Sequence, residues 1–208
     1  MPLIAIDGPS GSGKSTLARA LAQRLGLPRL DTGAMYRAVA LAVLRAGADP
    51  FDGERAGAIA RRASVEVGER VLLDGEDVTE EIRSPEVDAV VSVVAAHPSV
   101  RRILQARQRA WAEERGGGVV EGRDIGTAVL PDATVKVFLV ADLDERARRR
   151  AGEARGTPAA EARSTIERRD ALDGGREDSP LRQAPDAIVL DSTRRSVDEL
   201  VEEVLARL

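Results

Sequence analysis

The sequence predicts an α/β fold in which a parallel core sheet is flanked by helices. Three observations predict it. Short apolar runs alternate with longer segments of helical periodicity, the pattern of a parallel sheet with crossover helices. The first run passes through a glycine-rich loop directly into a helix. Charged residues gather just after the apolar runs, where open α/β sheets bind ligands.

Residues 3–6 form a short apolar run ending at Asp7 and Gly8, as a buried parallel strand does. Residues 14–25 repeat apolar positions at helical spacing (Leu17, Ala20, Leu21, Leu25), and Gly26 and Pro28 stop that helix. Arg29-Leu30 is a candidate second strand, and the Ala/Leu/Val-rich residues 36–46 form a helix closed by Gly47. Residues 49–99 change character and read as a small α+β insertion, leaving residues 1–48 and 100–208 as the core of one domain. Within it, Val65, Val67, Val71 and Leu73 are β-like, with turns at Gly68 and Asp74-Gly75. A helix follows, with Ser84 as cap and Pro85 in its first turn.

The core resumes with a helix over residues 100–115, a loop at Gly116-Gly117-Gly118, and a strand at Val119-Val120 ending at Glu121. Residues 135–140 are another strand. Residues 144–170 are rich in Arg, Ala and Glu and helical, interrupted near Gly156-Thr157-Pro158. Residues 187–190 are the last strand, and Ser196 with Glu199 forms a capping box for the final helix.

Composition excludes several chemistries. The 208 residues include no cysteine, so there is no disulfide framework, thiol nucleophile or cysteine zinc site. A single histidine, His97, cannot build a multi-histidine metal site and reads as a loop residue. Net charge is −4 and aromatics are 2%, which removes both a field favouring nucleic acid and a stacking platform for single strands. No apolar run approaches the roughly 20 residues of a membrane span, and the first residues lack the pattern of a signal peptide, so the cytoplasm is expected. The basic residues are 29 arginines and only two lysines, Lys14 and Lys136. Codon bias or heat-tolerant ion pairing accounts for such a bias as well as phosphate binding does.

Gly8-Pro9-Ser10-Gly11-Ser12-Gly13-Lys14-Ser15-Thr16 matches G-x-x-x-x-G-K-S/T between a strand and a helix, which places the chain in the P-loop NTPase fold. In this composition a chance match is expected roughly once or twice in a thousand chains. Glycine lets backbone N–H groups curl around phosphate oxygens, and the helix that follows points its positive end at the same anion. Lys14 is expected on the β- and γ-phosphates of ATP, and the Ser15 hydroxyl on Mg²⁺. No Asn-Lys-x-Asp sequence is present to read guanine, and a motor or transporter ATPase ordinarily needs more chain; a small kinase fits the length.

Three further clusters flank strands or helices. Leu30-Asp31-Thr32-Gly33-Ala34-Met35-Tyr36-Arg37 contains an Asp-Thr-Gly that is equally a common turn. Glu121-Gly122-Arg123-Asp124-Ile125-Gly126-Thr127 sets three charges beside glycines at a strand end, which packing explains poorly. Arg168-Arg169-Asp170-Ala171-Leu172-Asp173-Gly174-Gly175-Arg176 interleaves Arg and Asp, as a salt-bridged surface also would.

Together with Ser179-Pro180-Leu181 and Asp186-Ala187-Ile188-Val189-Leu190-Asp191-Ser192-Thr193, these segments resemble the bacterial cytidylate kinases of the nucleoside monophosphate kinase family. Asp74-Gly75-Glu76-Asp77-Val78 looks like that family's insertion. The resemblance spans essentially the whole chain. It implies that the insertion is a nucleotide-monophosphate-binding element, that residues 144–170 are a mobile helical lid, and that the γ-phosphate of ATP passes to CMP or dCMP. It also implies a monomer. Ser92, Arg101 and Asp124 look like cytosine readers; Arg37, Arg123 and Arg176 look like ligands of the acceptor phosphate; Thr32, Arg169 and Asp173 look like contacts to the acceptor sugar and its surroundings. Thr32 stands where some relatives have Ser, and Glu121 where others have Asp.

The chemistry implied is coherent. A carboxylate accepts from the exocyclic amine of cytosine but faces a carbonyl in uracil, so Asp124 would discriminate the two. Phosphoryl transfer needs in-line placement and neutralised charge, and the acceptor phosphate is already a nucleophilic anion, so no general base is required. Lys14, Arg37 and Arg123 are the catalytic candidates. Arg146, Arg148, Arg149, Arg150 and Arg155 lie in the lid, where they suit closure over ATP or simply a solvated helix face. Two other readings share the P-loop: a kinase of another small acceptor, which does not need Arg101 and Asp124, and a nucleotide-binding regulatory module without turnover.

Overall fold

The computed structural model describes residues 1–153, 159–176 and 178–208. Arg155 and Gly156-Thr157-Pro158 lie outside the described residues. In chain order the elements begin with β1 (Leu3–Asp7), α1 (Lys14–Leu25), β2 (Arg29–Asp31), α2 (Thr32–Arg45) and α3 (Gly53–Arg62). Next come β3 (Val65–Val67), β4 (Val71–Leu73), β5 (Glu76–Asp77), α4 (Pro85–Ala96) and α5 (Pro98–Arg115). The chain continues through β6 (Gly118–Gly122), a π-helical turn (Ile125–Val129), β7 (Val135–Val140), α6 (Leu143–Glu153), α7 (Ala159–Gly174), β8 (Ile188–Asp191) and α8 (Val197–Leu205).

Contacts divide the chain into two compact units. The first comprises Met1–Arg29 and Arg115–Leu208. Its five-stranded sheet has the order β2-β6-β1-β7-β8, and the chain leaves this unit within β2. β1 runs parallel to β6 on one side and to β7 on the other, with Ile4 opposite both Val119 and Val135. A strand paired on both edges and covered on both faces must be apolar throughout, which is why residues 3–6 carry no alternation. Ile4, Ile6, Leu17, Leu21, Val119, Val137, Leu139 and Leu190 form the core, closed by Leu200, Val201 and Val204 of α8. The predicted capping box of α8 is present, with Ser196 Oγ accepting from Glu199 N and the Glu199 carboxylate accepting from Ser196 N.

The second unit is Leu30–Glu114. It holds α2–α5 and a small antiparallel sheet of order β3-β4-β5. Val39, Ile82, Val87, Val94 and Leu104 are fully enclosed. Ser84 caps α4 and Pro85 occupies its first turn, as the sequence requires. His97 Nε2 donates to Pro50 O (2.8 Å) and serves the local chain path. The protein's one tyrosine, Tyr36, and one tryptophan, Trp111, both belong to this unit.

Several elements differ from the sequence reading. α2 starts four residues earlier than residue 36, because the Asp31 carboxylate caps it by accepting from Ala34 N; the Asp-Thr-Gly is a helix start, not a turn. α3 was not predicted, although Asp52 marks its start by accepting from Arg55 N; Gly53 and Gly57 depress its helix propensity. The segment after Asp124 forms a π-helical turn, an element the sequence reading did not assign.

Candidate active site

The glycine-rich loop leaves β1 at Asp7 and enters α1 at Lys14. Gly8 lies so close to the end of β7 that a Cβ would stand 2.2 Å from Leu139 O. Gly13, at φ 91°, is the N-cap of α1 and supplies no side chain to it, so the first N–H groups of the helix point into the loop. Ser12 Oγ is buried with no hydrogen-bond partner among the described residues. Lys14 is buried and donates from Nζ to Pro9 O (2.7 Å). Burial first, and then the nearby Arg123, lower its pKa to about 7. A loop of this shape, with a buried ammonium and an unpartnered hydroxyl, is completed chemically by an oxyanion such as a polyphosphate.

Ser15 Oγ donates to Glu121 Oε2 (2.6 Å), and Arg29 Nη1 donates to Glu121 Oε1 (2.9 Å). Glu121 is buried at the end of β6 and was absent from the sequence-derived site, although a lone acid closing a Val-rich strand is a readable signal. The hydroxyl and carboxylate form a hard oxygen donor pair, the kind Mg²⁺ takes together with substrate phosphates. They fit the ion expected of the P-loop.

Beyond β6, Arg123 Nε donates to Asp173 Oδ2 (2.7 Å), and Arg176 also pairs with Asp173. Burial opposes charge on Asp173, but Arg123 and Arg176 hold its carboxyl below the usual aspartate range. Lys14, Arg123 and Asp173 are close enough to perturb one another electrostatically, so the phosphate loop, the Gly122-Arg123-Asp124 segment and the end of α7 form one charged cluster. Arg169, on α7, and Asp124, leading into the π turn, are both buried.

The lid arginines sort by helix face. Arg146 donates from Nε to Ala141 O (3.1 Å) and from Nη1 to Ser10 O (3.2 Å), and it pairs with Asp170. The other oxygen of Asp170 accepts from Ser10 N (3.3 Å), so this carboxylate ties α7 to the phosphate loop as well as to α6. Arg149 donates to Ser192 Oγ (2.9 Å) and O (2.7 Å), and Ser192 Oγ in turn donates to Ser12 O (2.8 Å). Arg148 pairs with Glu145 on the outside, three-quarters exposed.

The remaining sequence-derived residues belong to the second unit. Thr32 is buried at the first position of α2. Arg37 donates to Ile82 O (3.0 Å) and pairs with Asp88 (2.5 Å). Ser92 is half-buried on α4. Arg101 is 1% exposed on α5, donates to Ala95 O (3.2 Å) and lies 5.7 Å from the Tyr36 ring centroid. The suggested cytosine readers therefore comprise two residues of this unit, Ser92 and Arg101, and one of the first, Asp124.

A family model described as cytidylate kinase matches residues 4–208. A cytidylate kinase of Limosilactobacillus reuteri (strain DSM 20016) is 51% identical over 97% of this chain and 92% of its own length. One of Caldanaerobacter subterraneus subsp. tengcongensis is 52% identical over 97% of this chain and 92% of its own. Among solved structures, a gluconokinase from Sinorhizobium meliloti 1021 superposes with a TM-score of 0.51 at 18% identity, covering 99% of this chain and 90% of its own; it speaks to fold alone.

Proposed function

The chain belongs to the cytidylate kinase family, and from that membership we propose that it phosphorylates CMP and dCMP with ATP, giving CDP or dCDP and ADP. The observation that carries the reading is a family match over nearly the whole chain at about half identity. It is supported by the charged cluster in which Arg123 and Asp173 stand beside the phosphate-loop Lys14.

In the proposed mechanism Lys14 leaves Pro9 O for the β- and γ-phosphates of ATP. Ser15 and Glu121 would hold Mg²⁺, which when bound neutralises charge on those phosphates. Arg37, Arg123 and Arg176 hold the acceptor phosphate in line, Thr32, Arg169 and Asp173 its sugar side, and Ser92, Arg101 and Asp124 its base. Asp173 keeps Arg123 charged and aimed before any substrate arrives. Arg146, which donates to Ser10 O, and Arg149, which donates to Ser192 Oγ, support a lid that acts on ATP and excludes water. We take residues 49–99 as the acceptor-binding insertion and residues 144–170 as the lid of a single kinase domain, and we expect a cytoplasmic monomer with neither nucleic acid nor a membrane as partner.

ADP release measured with a panel of CMP, dCMP, UMP, AMP and GMP tests the reading. CMP and dCMP should be used best, with UMP lower by roughly a hundredfold or more. Equal use of UMP or of a purine nucleotide overturns the base assignment. A protein that binds ATP but turns over with no acceptor supports the regulatory alternative.

A further inference from the structure

Asp7 is the last residue of β1, one position before the phosphate loop, and the proposed reaction gives it no role. It is 4% exposed. Each of its carboxylate oxygens accepts one backbone N–H from the π-helical turn: Oδ1 from Ile125 N (2.8 Å) and Oδ2 from Gly126 N (2.7 Å). N–H groups at the start of a helical turn have no partner inside it, so they must be satisfied from elsewhere. Here the partner comes from another strand, 118 and 119 residues away in sequence.

Asp124 is the residue just before that turn. Its own carbonyl accepts from Ala128 N (2.9 Å) and Val129 N (3.2 Å). Asp124 is thereby held between two anchors: the turn's later N–H groups on its carbonyl and Asp7 on the N–H groups that follow it. A carboxylate suits this task because it offers acceptors in two directions and no donor, whereas an amide offers one oxygen and would set an N–H₂ against the other N–H. Gly126 packs closely against Lys136 as well as Asp7. A Cβ on Gly126 would lie 3.2 Å from Lys136 Cδ and 3.4 Å from Asp7 Oδ2.

We propose that Asp7 is a positioning residue for acceptor selectivity, clamping the turn so that the Asp124 carboxylate is presented to the acceptor base. The inference rests on the reading of Asp124 as a base contact. It makes the strand that launches the donor-phosphate loop also the strand that aims the base reader.

The test compares Asp7→Asn with wild type in steady-state assays against CMP, UMP and ATP. Loss of one buried hydrogen bond is worth roughly tenfold in an equilibrium. Asp7→Asn should raise KM for CMP about tenfold and lower the CMP-over-UMP ratio of kcat/KM by a similar factor, with KM for ATP within about twofold of wild type. Gly126→Ala perturbs the same turn by adding a methyl against Lys136 and Asp7, and should give the same acceptor-specific signature if Asp7→Asn folds poorly. Parallel changes in both KM values, or a fall in thermal stability with the selectivity ratio unchanged in both variants, overturn the inference. Asp124→Ala separates the two layers. If it keeps wild-type selectivity, the base-reading role falls and takes the inference with it. If it loses selectivity while Asp7→Asn and Gly126→Ala keep it, Asp7 alone is excluded.

Discussion

Glu121 binds two partners from opposite directions, the Ser15 hydroxyl and the Arg29 guanidinium. Replacing it with glutamine keeps the shape and removes the charge that would orient a Mg²⁺ site. Glu121→Gln should raise the Mg²⁺ concentration needed for half-maximal activity by about 10-fold or more, and an unchanged Mg²⁺ titration refutes the assignment. Asp7 gives a separate pH signature. Burial raises its pKa to about 6, from an ordinary 3.8, and the nearby Asp124 adds to the rise while the turn's N–H groups oppose it. Between about pH 4 and 6 the unfolded chain has released this proton and the native protein has not, so the stability it contributes is full below about pH 4 and is lost as pH rises through about 6. Asparagine cannot ionise. The stability difference should therefore move in favour of Asp7→Asn by about 3 kcal/mol between about pH 4 and 7, measured by urea denaturation; a pH-independent difference refutes it. Lys14, Arg123 and the phosphate loop were legible in the sequence because their motifs are contiguous. Glu121 with Ser15, Asp7 with Gly126 and Asp170 with Ser10 were not, since each pair is more than 100 residues apart and meets only in the fold.

At the scale of elements, α6 shows how helical geometry turns a run of arginines into different jobs. Arg146 and Arg149 are three residues apart and share the face toward the phosphate loop, while Arg148 faces outward with Glu145. Arg146→Ala should lower kcat by about two to three orders of magnitude, the usual cost of removing a charge-stabilising donor, whereas Arg148→Ala should leave kcat within about twofold. Equal effects would show that the lid acts through its overall charge. The strands of the large sheet, α1, α4 and the capping box of α8 were legible because local rules agree with the fold there: apolar runs for buried strands, Ser-Pro for a helix start, Ser and Glu three apart for a cap. α3 was not, because its two glycines mask the Asp52 cap, and the π turn was not, because its neighbours decide it.

At the scale of the whole molecule, nucleotide binding and stability are linked. A non-hydrolysable ATP analogue at about a hundred times its Kd adds about 2.7 kcal/mol, which in a chain of this size corresponds to a Tm rise of roughly 5–10 °C. Lys14→Met should abolish most of that rise, and a full rise in the variant would remove Lys14 from the phosphate site.

Tyr36 and Trp111 give the molecule an uneven optical makeup. Both lie in the Leu30–Glu114 unit, and the sheet of the other unit carries Phe138 as its aromatic residue. Intrinsic ultraviolet emission is thus a private signal of the second unit, while circular dichroism sums both. A denaturation followed by the two spectroscopies on one sample compares the cooperativity of the units without any label: coincident curves mean they melt as one, and separated curves give the order in which they come apart.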